Sequence, residues 1–239
     1  MAEDIDWGAA RVAVVGDGRV GRALVRAMPG FAGPFGRGFD GAGFDVVILA
    51  VPDPEIAVAA STVGPGPLVG HCAGALGIGV LAPHEAFGLH PLMTVTLSTA
   101  NFDGASAAVA GTSDRARSFA TWLARQLHMH PFEIADDDRA AYHAAASIAS
   151  NFLVTLEDAA EQLLATTGAD RSMLVPLVRA AVENWASLGG RRAITGPIAR
   201  GDEATVSRQR RAVEERCPEL LPLFDAMAES TRRLVARDS

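Results

Sequence analysis

The fold of this chain is decided by the stretch Arg11-Val-Ala-Val-Val-Gly-Asp-Gly-Arg-Val-Gly-Arg-Ala-Leu-Val-Arg-Ala-Met28. The run from Val12 to Val15 is wholly apolar, which is typical of a strand that lies buried in a parallel sheet. Apolar residues then recur at helical spacing from Val20 to Ala27. The stretch therefore predicts a strand, a glycine-rich turn and a helix.

Three glycines lie between this strand and this helix with the spacing G-x-G-x-x-G. The first glycine permits a tight turn, the second lets a pyrophosphate approach the backbone, and the third lets the helix lie close to the sheet. The helix dipole and its free N–H groups face the same place. The expected cofactor contacts in this loop are Gly16, Asp17, Gly18, Arg19, Val20 and Gly21. The alternative interpretation is a glycine-rich turn that binds no ligand.

The residues that follow bear on the choice between NADP and NAD. Arg37 stands where a second strand would end, and an arginine at that place can accept the 2′-phosphate of NADP. Asp40 lies at a spacing from the glycines that suits an acidic contact to the ribose of NAD. We expect NADP, with NAD as the alternative. Without a ligand role, Arg37 would be a solvated loop arginine.

Later strands place further candidate residues at their ends. The segment 45–51 is almost wholly apolar, so we expect it in the centre of the sheet, with its end beside the cofactor. The expected backbone contacts there are Val51, Pro52 and Asp53. His71 and His90 fall at two later strand ends. We expect His71 to contact the cofactor and His90 to act in catalysis, unless each imidazole is merely a hydrogen-bonded part of the structure.

The composition changes at residues 136–138, where three aspartates occur and the strand patterns stop. We predict a nucleotide-binding domain over 1–135 and an all-helical domain over 136–239. The first helix of the second domain is expected from about 138 to 167. A helix of this length would be buried on most sides, as the axis of its domain.

Polar residues on this expected helix recur every four positions and so share one face. They are His143, Ser147 and Asn151. We expect His143 to donate a proton, because imidazole titrates near neutral pH, and the other two to orient the substrate. The alternative is a polar seam against the other domain. Further predicted substrate contacts are Tyr142, Ser150, Thr195 and Arg200, where Arg200 either clamps a carboxylate or pairs with Asp202.

The composition excludes several kinds of chemistry and disfavours several partners. The 239 residues carry a formal net charge of −7, which disfavours nucleic acid. All basic residues are arginine, so acid–base chemistry falls to other residue types. Cys72 and Cys217 suggest reduced thiols in a cytoplasmic protein. We expect no signal peptide, no membrane span and no metal site.

Several short motifs occur in order along the chain. They are Gly16-x-Gly18-x-x-Gly21, Val51-Pro-Asp-Pro54, His71-Cys-Ala-Gly74, His90-Pro-Leu92, Tyr142-His-Ala-Ala-Ala146, Ser150-Asn151, Thr195-Gly-Pro197 and Arg200-Gly-Asp202. Together they resemble the Rossmann-like family whose C-terminal half is the domain of unknown function 2520. More distantly, that family is similar to the 6-phosphogluconate dehydrogenase-like reductases, which include ketopantoate reductase and pyrroline-5-carboxylate reductase.

The resemblance implies an α/β fold with a mostly parallel, doubly wound Rossmann domain. An all-α domain similar to the C-terminal domain of 6-phosphogluconate dehydrogenase follows, which often forms homodimers, and substrate lies in the cleft between the domains. The implied activity is an NADP-dependent oxidoreductase that acts on CH–OH or CH–NH groups and reduces a small carbonyl or imine acid. The alternatives are a non-catalytic dinucleotide-binding sensor or scaffold, and a deazaflavin-linked NADP oxidoreductase.

One departure limits what the resemblance carries over. Ketopantoate reductases and β-hydroxyacid dehydrogenases use a lysine and an asparagine one turn apart on the first helix of the second domain. This chain has no lysine at all, so the mechanism of these relatives is not carried over intact.

Overall fold

A mixed sheet organises the first of two compact units, Met1–Ser150, and helices make up the second, Asn151–Ser239. The structure is a computed structural model that describes residues 6–96 and 101–237. The extreme N-terminus, where we expected no signal peptide, therefore lies largely outside the described residues.

The sheet has seven strands in the order β2-β1-β3-β4-β5-β6-β7. They are β1 (Val12–Val15), β2 (Ala32–Phe35), β3 (Val46–Leu49), β4 (Leu68–His71), β5 (Ala86–Leu92), β6 (Ser106–Gly111) and β7 (His130–Glu133). Strands β5 and β6 run antiparallel, and every other neighbouring pair is parallel. Each residue of β1, β3 and β4 is buried, as expected for strands covered on both faces.

Helices cover both faces of this sheet. They are α1 (Arg19–Ala27), α2 (Ile56–Thr62), α3 (Asp114–Gln126) and α4 (Arg139–Ser147). Alternate residues of β1 face opposite sides, so Val14 packs in one core cluster with Leu24 of α1, and Val15 packs in the other with Ile56 of α2. The predicted doubly wound α/β class is confirmed.

The strand order creates a crevice at one edge of the sheet. From β1 the chain goes to β2 on one side, and then returns to β3 on the other side. Ligands of open α/β sheets bind where the strand order reverses, outside the carboxyl ends of the strands. The loops that follow β1 and β3 therefore form the candidate cofactor crevice.

The single helix expected from about 138 to 167 is interrupted. After α4 comes a π-helical segment, Ile148–Phe152, and then α5 (Leu153–Ala165). Hydrogen bonds from residue i to i+5 widen the helix there, and the Ser150 hydroxyl donates to the carbonyl oxygen of Ala146 at 2.7 Å. The two units divide within this segment, later than the boundary predicted at residue 135. Helix α4, whose Arg139 is buried, therefore belongs to the first unit.

The second unit also contains α6 (Val175–Leu188), α7 (Gly190–Ala193), α8 (Glu203–Arg216) and α9 (Leu221–Ala236). Asp202 caps α8, since its side chain accepts from the Thr205 N–H. The expectation that the first long helix is buried on most sides is wrong. No residue of α5 or α6 is buried, and their exposed large apolar side chains include Val154, Leu177, Val182, Trp185 and Leu188.

None of the helices in the described part of the chain combines the length and the apolarity that a membrane span requires.

Candidate active site

Two glycines of the predicted cofactor loop are required by the packing of the protein itself. Gly16 follows β1 with φ of 111°, and a Cβ there would lie 2.4 Å from the carbonyl oxygen of Ala50. A Cβ on Gly21 would lie 2.0 Å from the carbonyl oxygen of Gly16. A side chain at either position would therefore collide with the backbone. Gly16 permits the turn, and Gly21 permits the close approach of α1 to the sheet, as the motif predicts.

The packing of the protein itself does not require a glycine at position 18. Its backbone is extended, and a Cβ would meet only the carbonyl oxygen of Ala50, at 3.9 Å. Gly18 is also the N-cap of α1, which has no side-chain cap and no acidic residue in its first turn. The space before Gly18 and the open N–H groups of α1 fit a pyrophosphate.

The acidic residue of this loop is neutralised locally. Asp17 forms a two-pronged ion pair with Arg22 of α1, with both N–O distances 2.6 Å. The hydrogen bonds from Arg22 hold the pKa of Asp17 below its usual range. The remaining predicted loop contacts, Arg19 and Val20, form the first turn of α1.

Arg37 lies just beyond the end of β2, at the same edge of the sheet as the glycine loop. Its Nη2 atom is 2.8 Å from Oε1 of Glu55, and its side chain is 87% exposed. Glu55 belongs to the short turn after β3 that begins with the exposed residues Pro52 and Asp53. Exposed ion pairs add little to stability, so this arginine can exchange its partner for a phosphate.

Asp40, the basis for NAD as the alternative, lies at the opposite edge of the sheet. Its carbonyl oxygen accepts from the N–H of Gly64, and its carboxylate accepts from the N–H of Ala42. Both partners precede strands β3 and β4, so they lie at the amino edge. Asp40 is therefore not a contact for a ribose bound beside Gly18.

His71, the other predicted strand-end histidine, lies at the end of β4. The residue is fully buried, and its Nδ1 atom accepts from the N–H of Ala73 at 3.2 Å. Because Nδ1 is an acceptor, Nε2 carries the proton and faces the carbonyl oxygen of Gly77 at 3.4 Å. Burial lowers the pKa of His71. Both ring nitrogens of His71 therefore face backbone groups of the protein, and a contact with the cofactor stays a prediction.

The structure brings together His90, Tyr142 and His143. The hydroxyl of Tyr142 lies 2.7 Å from Nδ1 of His90, and the ring centroids of His90 and His143 are 6.0 Å apart. A Cβ on Gly74 would lie 2.6 Å from His143 Cδ2 and 2.8 Å from His90 Nε2, so the glycine backbone packs on both rings. We call His90, Tyr142 and His143 the His–Tyr cluster.

The surroundings of His90 and Tyr142 favour the neutral form of both side chains. Burial, together with the nearby His143, Arg139 and His71, lowers the pKa of His90 to about 4. Burial also raises the pKa of the Tyr142 hydroxyl. Among the described residues, the imidazole of His143 has no hydrogen-bond partner, so its ring nitrogens are available to a ligand.

Arg139 is the residue beside this cluster that the sequence interpretation missed. It is 1% exposed, and its Nε atom donates to Oδ1 of Asp136 at 2.7 Å. Its Nη2 atom is buried without a hydrogen-bond partner in the described part of the chain. The sequence did contain one signal for Arg139. A positive charge in the first turn of a helix interacts unfavourably with the helix dipole, so an arginine at this position indicates a role other than helix stabilisation.

Three further predicted site residues lie at the end of α4 and in the π segment. Ser147 is the half-buried last residue of α4, one turn after His143. Asn151 lies in the π segment, where residues four apart no longer stack, and Ser150 donates its hydroxyl proton to Ala146.

Thr195 and Arg200 are exposed residues of the second unit. The carboxylate of Asp202 accepts from the backbone N–H of Thr205 and its hydroxyl instead of pairing closely with Arg200. Within the described ranges, no group of three or more His, Cys, Asp or Glu is arranged to hold a metal ion. Both cysteines are free.

Comparison with known proteins gives matches over both parts of the chain. A family model described as a domain of unknown function (DUF2520) matches residues 105–231, and a model described as a Rossmann-like domain matches residues 40–95. No curated protein sequence matches the chain.

Solved structures share the fold over nearly the whole chain. A Bacteroides fragilis protein provisionally described as an NADP oxidoreductase has a TM-score of 0.80 and 18% identity, over 94% of this chain and 98% of that one. A Thermotoga maritima protein has a TM-score of 0.77 and 22% identity, with the same two coverages of 94% and 98%. An imine reductase of Streptomyces aurantiacus has a TM-score of 0.66 and 12% identity, over 93% and 95%.

Proposed function

This chain belongs to the family defined by the domain of unknown function 2520, and from that premise we propose that it is an NADP-dependent reductase of a small carbonyl or imine acid. One observation carries the proposal. The open glycine loop at Gly18 and the His–Tyr cluster at His90 lie toward the same carboxyl edge of one sheet, within one compact unit. Strand β5 is two strands from β3, which corresponds to about 10 Å.

The glycine loop and its neighbours would hold the dinucleotide. The N–H groups at the start of α1 face the pyrophosphate, and Arg37 takes the 2′-phosphate in exchange for Glu55. The backbone of Val51, Pro52 and Asp53 forms the other side of the crevice. NADPH supplies the hydride when bound, and the protein supplies binding, orientation and a proton.

His143 is the group we propose as proton donor, at a ring nitrogen. The support is its half-buried position beside His90 and its lack of a hydrogen-bond partner among the described residues. Tyr142, whose hydroxyl is bound to His90, positions the helix that carries His143. A positioned imidazole contributes about 10²- to 10⁴-fold to proton transfer.

The remaining substrate contacts stay predictions. They are Ser147 and Ser150 in the first unit, and Asn151, Thr195 and Arg200 in the second. Arginine has the planar donor geometry that a carboxylate accepts, which is why we assign the acid group of the substrate to Arg200.

The comparisons support this class of reaction through what the similar proteins are described to do. One is described as an NADP oxidoreductase and another as an imine reductase. A structure of pyrroline carboxylate reductase from Plasmodium falciparum, with NADP bound, shares the fold with a TM-score of 0.57 and 14% identity, over 95% of this chain and 99% of that one.

Calorimetric titration with NADPH and NADH tests the cofactor. We expect NADPH to bind more tightly, and Arg37→Ala to weaken NADPH about 10- to 100-fold, because it removes charge-assisted hydrogen bonds, while NADH binding is unchanged. Arg26→Ala is the matched control, since Arg26 is exposed in the last turn of the same α1 helix. Binding of neither nucleotide would refute the proposal.

Hydride transfer to a panel of carbonyl and imine acids tests the reaction. We expect turnover of NADPH with at least one member, and a fall in kcat of about 100-fold or more in His143→Ala. Tight NADPH binding without turnover on any member would instead establish a dinucleotide sensor. Unchanged turnover in His143→Ala would mean that a group other than His143 donates the proton.

A further inference from the structure

The loop that follows β4 carries a glycine in direct contact with the candidate site. Gly74 is buried, and a Cβ there would lie 2.6 Å from Cδ2 of His143 and 2.8 Å from both Cε1 and Nε2 of His90. These ring atoms are the nearest that such a Cβ would meet. The backbone of Gly74 therefore packs against both imidazoles.

The usual reasons for a glycine do not apply at this position. The φ angle of Gly74 lies outside the left-handed region, so an alanine can adopt the same backbone conformation. At Gly16 and Gly21 a Cβ would collide with the backbone, and at Gly88 of β5 it would crowd Ile78. At Gly74 it would instead collide with side chains of the His–Tyr cluster. The missing side chain thus makes room for the site.

The loop that carries Gly74 is held by His71 on both sides of the glycine. The N–H of Ala73 donates to Nδ1 of His71 at 3.2 Å, and Nε2 of His71 faces the carbonyl oxygen of Gly77 at 3.4 Å. His71 is fully buried at the end of β4, so it ties the loop to the sheet. We therefore expect a side chain added at position 74 to displace the rings and to leave the loop in place.

Of the two rings, that of His143 is the less constrained. Nδ1 of His90 lies 2.7 Å from the hydroxyl of Tyr142, whereas the imidazole of His143 has no hydrogen-bond partner among the described residues. The position of the His143 ring therefore depends on packing. Gly74 supplies one of the surfaces against which this ring packs.

We propose that Gly74 is a positioning residue of the reductase site: the surface of its backbone fixes where the imidazole of His143 lies beside His90. The inference rests on the proposed function for its catalytic meaning, while the contact itself is a property of the fold. A side chain at position 74 should change proton transfer and leave dinucleotide binding unchanged, because Gly18 and Arg37 belong to the loops after β1 and β2.

NMR spectroscopy of the histidine rings in Gly74→Ala tests the contact without nucleotide or substrate. The chain has six histidines, and His143→Ala and His90→Gln identify the two ring signals. We expect nuclear Overhauser effects from the new methyl group to Hδ2 of His143 and to Hε1 of His90, and a change in both chemical shifts. Gly79→Ala is the matched control, because a Cβ on Gly79 would meet nothing within 4 Å, and it should leave both signals unchanged.

Steady-state kinetics with a substrate from the hydride-transfer panel tests the catalytic meaning. We expect the kcat of Gly74→Ala to fall about 10- to 100-fold, because a displaced imidazole loses part of the contribution of a positioned one. The affinity for NADPH should be unchanged. The thermal midpoint should stay within about 4 °C of wild type, because the collision is with a side chain that is able to move.

A double variant separates positioning from a structural role. In His143→Ala there is no ring at position 143 for the new methyl group to displace, so the addition of Gly74→Ala should lower kcat by at most about twofold. A merely structural glycine would lower kcat by the same factor with and without the imidazole of His143.

Three results would overturn the inference. They are the absence of Overhauser effects to both rings in folded Gly74→Ala, an unchanged kcat in that variant, and an equal loss of kcat in both backgrounds. If Gly74→Ala does not fold, Overhauser effects from the Hα protons of wild-type Gly74 test the contact. The double variant should then recover the fold, and its failure to do so would also overturn the inference.

Failure of this inference is distinguishable from failure of the proposed function. A protein without reductase activity still reports the Overhauser effects and the chemical shifts of the two rings. An active enzyme whose kcat is unchanged in Gly74→Ala would contradict the inference alone and would leave the reductase assignment standing.

Discussion

The hydroxyl of Tyr142 and Nδ1 of His90 lie 2.7 Å apart, which joins helix α4 to strand β5 through one short hydrogen bond. The ring of Tyr142 also packs edge-on against His90 and against Phe132 of β7. The aromatic ring and the hydroxyl therefore make separable contributions, and a variant can remove the hydroxyl alone.

Removal of that hydroxyl in Tyr142→Phe should affect catalysis more than folding. A single net hydrogen bond contributes about 1 kcal/mol to stability, so the thermal midpoint should change little. We expect kcat/KM to fall about tenfold, because α4 and His143 lose their polar attachment to β5. Phe132→Leu is the matched control that disturbs the ring contact and keeps the hydroxyl. Equal activity of Tyr142→Phe and wild type would contradict the positioning role.

Two alanine variants of the cofactor loop should behave in opposite ways. A Cβ on Gly21 collides with the backbone of Gly16, so Gly21→Ala should destabilise the protein by about 1–3 kcal/mol. Gly18→Ala meets no protein atom closer than 3.9 Å, so its stability should stay within about 0.5 kcal/mol of wild type. Its NADPH affinity should nevertheless fall by tenfold or more. Normal NADPH binding by Gly18→Ala would show that nothing approaches that glycine.

The ion pair of Arg37 with Glu55 should compete with the cofactor. In Glu55→Gln the arginine loses its carboxylate partner, so NADPH should bind several-fold more tightly while NADH binding stays unchanged. Titration at low and high salt measures both affinities. A gain that is equal for NADPH and NADH would mean that Glu55 acts on the shared part of the dinucleotide.

Acid should destabilise the first unit through His90. The pKa of His90 is about 4 in the fold and about 6.5 unfolded, so the unfolded state binds more protons between these values. Stability is therefore complete above about pH 6.5 and is lost as the pH falls to about 4, by up to about 3 kcal/mol. Urea unfolding at pH 7 and pH 4.5 measures this loss, and His90→Gln should reduce it. An equal loss in the variant would assign the acid sensitivity to other groups.

The second unit should form a homodimer. Leu177 and Trp185 of α6 are 66% and 61% exposed, and Val154 of α5 is 69% exposed, which marks an interaction surface. Sedimentation equilibrium should give twice the chain mass. Leu177→Glu with Trp185→Glu should give the monomer, whereas Arg191→Glu at the less apolar α7 should leave the dimer intact. A monomeric wild type would contradict the prediction.

The sequence predicted the first unit well because its signals are local. The glycine spacing and the apolar run of β3 each depend on neighbours in the chain, and each lies where it was expected. Recognition of the family motifs added the order of the two domains, which the family models confirm.

The parts that the sequence did not predict depend on contacts between distant segments. Helical periodicity alone does not reveal that an extra residue widens the turn at the π segment Ile148–Phe152. Nor does a strand-end pattern show whether His71 is closed off by the backbone of Ala73 and Gly77. Arg139 escaped notice because its burial depends on packing near Gly88 of β5, a strand that is distant in the sequence.

Gly88 also carries a consequence for attempts to engineer this protein. Replacing a strand glycine by valine is an ordinary way to raise β propensity and thermal tolerance. Here the added Cβ would lie 3.0 Å from Cγ2 of Ile78 and 3.7 Å from Nη2 of the buried Arg139, so a larger side chain would crowd both residues. A substitution chosen for β propensity alone would therefore act against the packing of this part of the core.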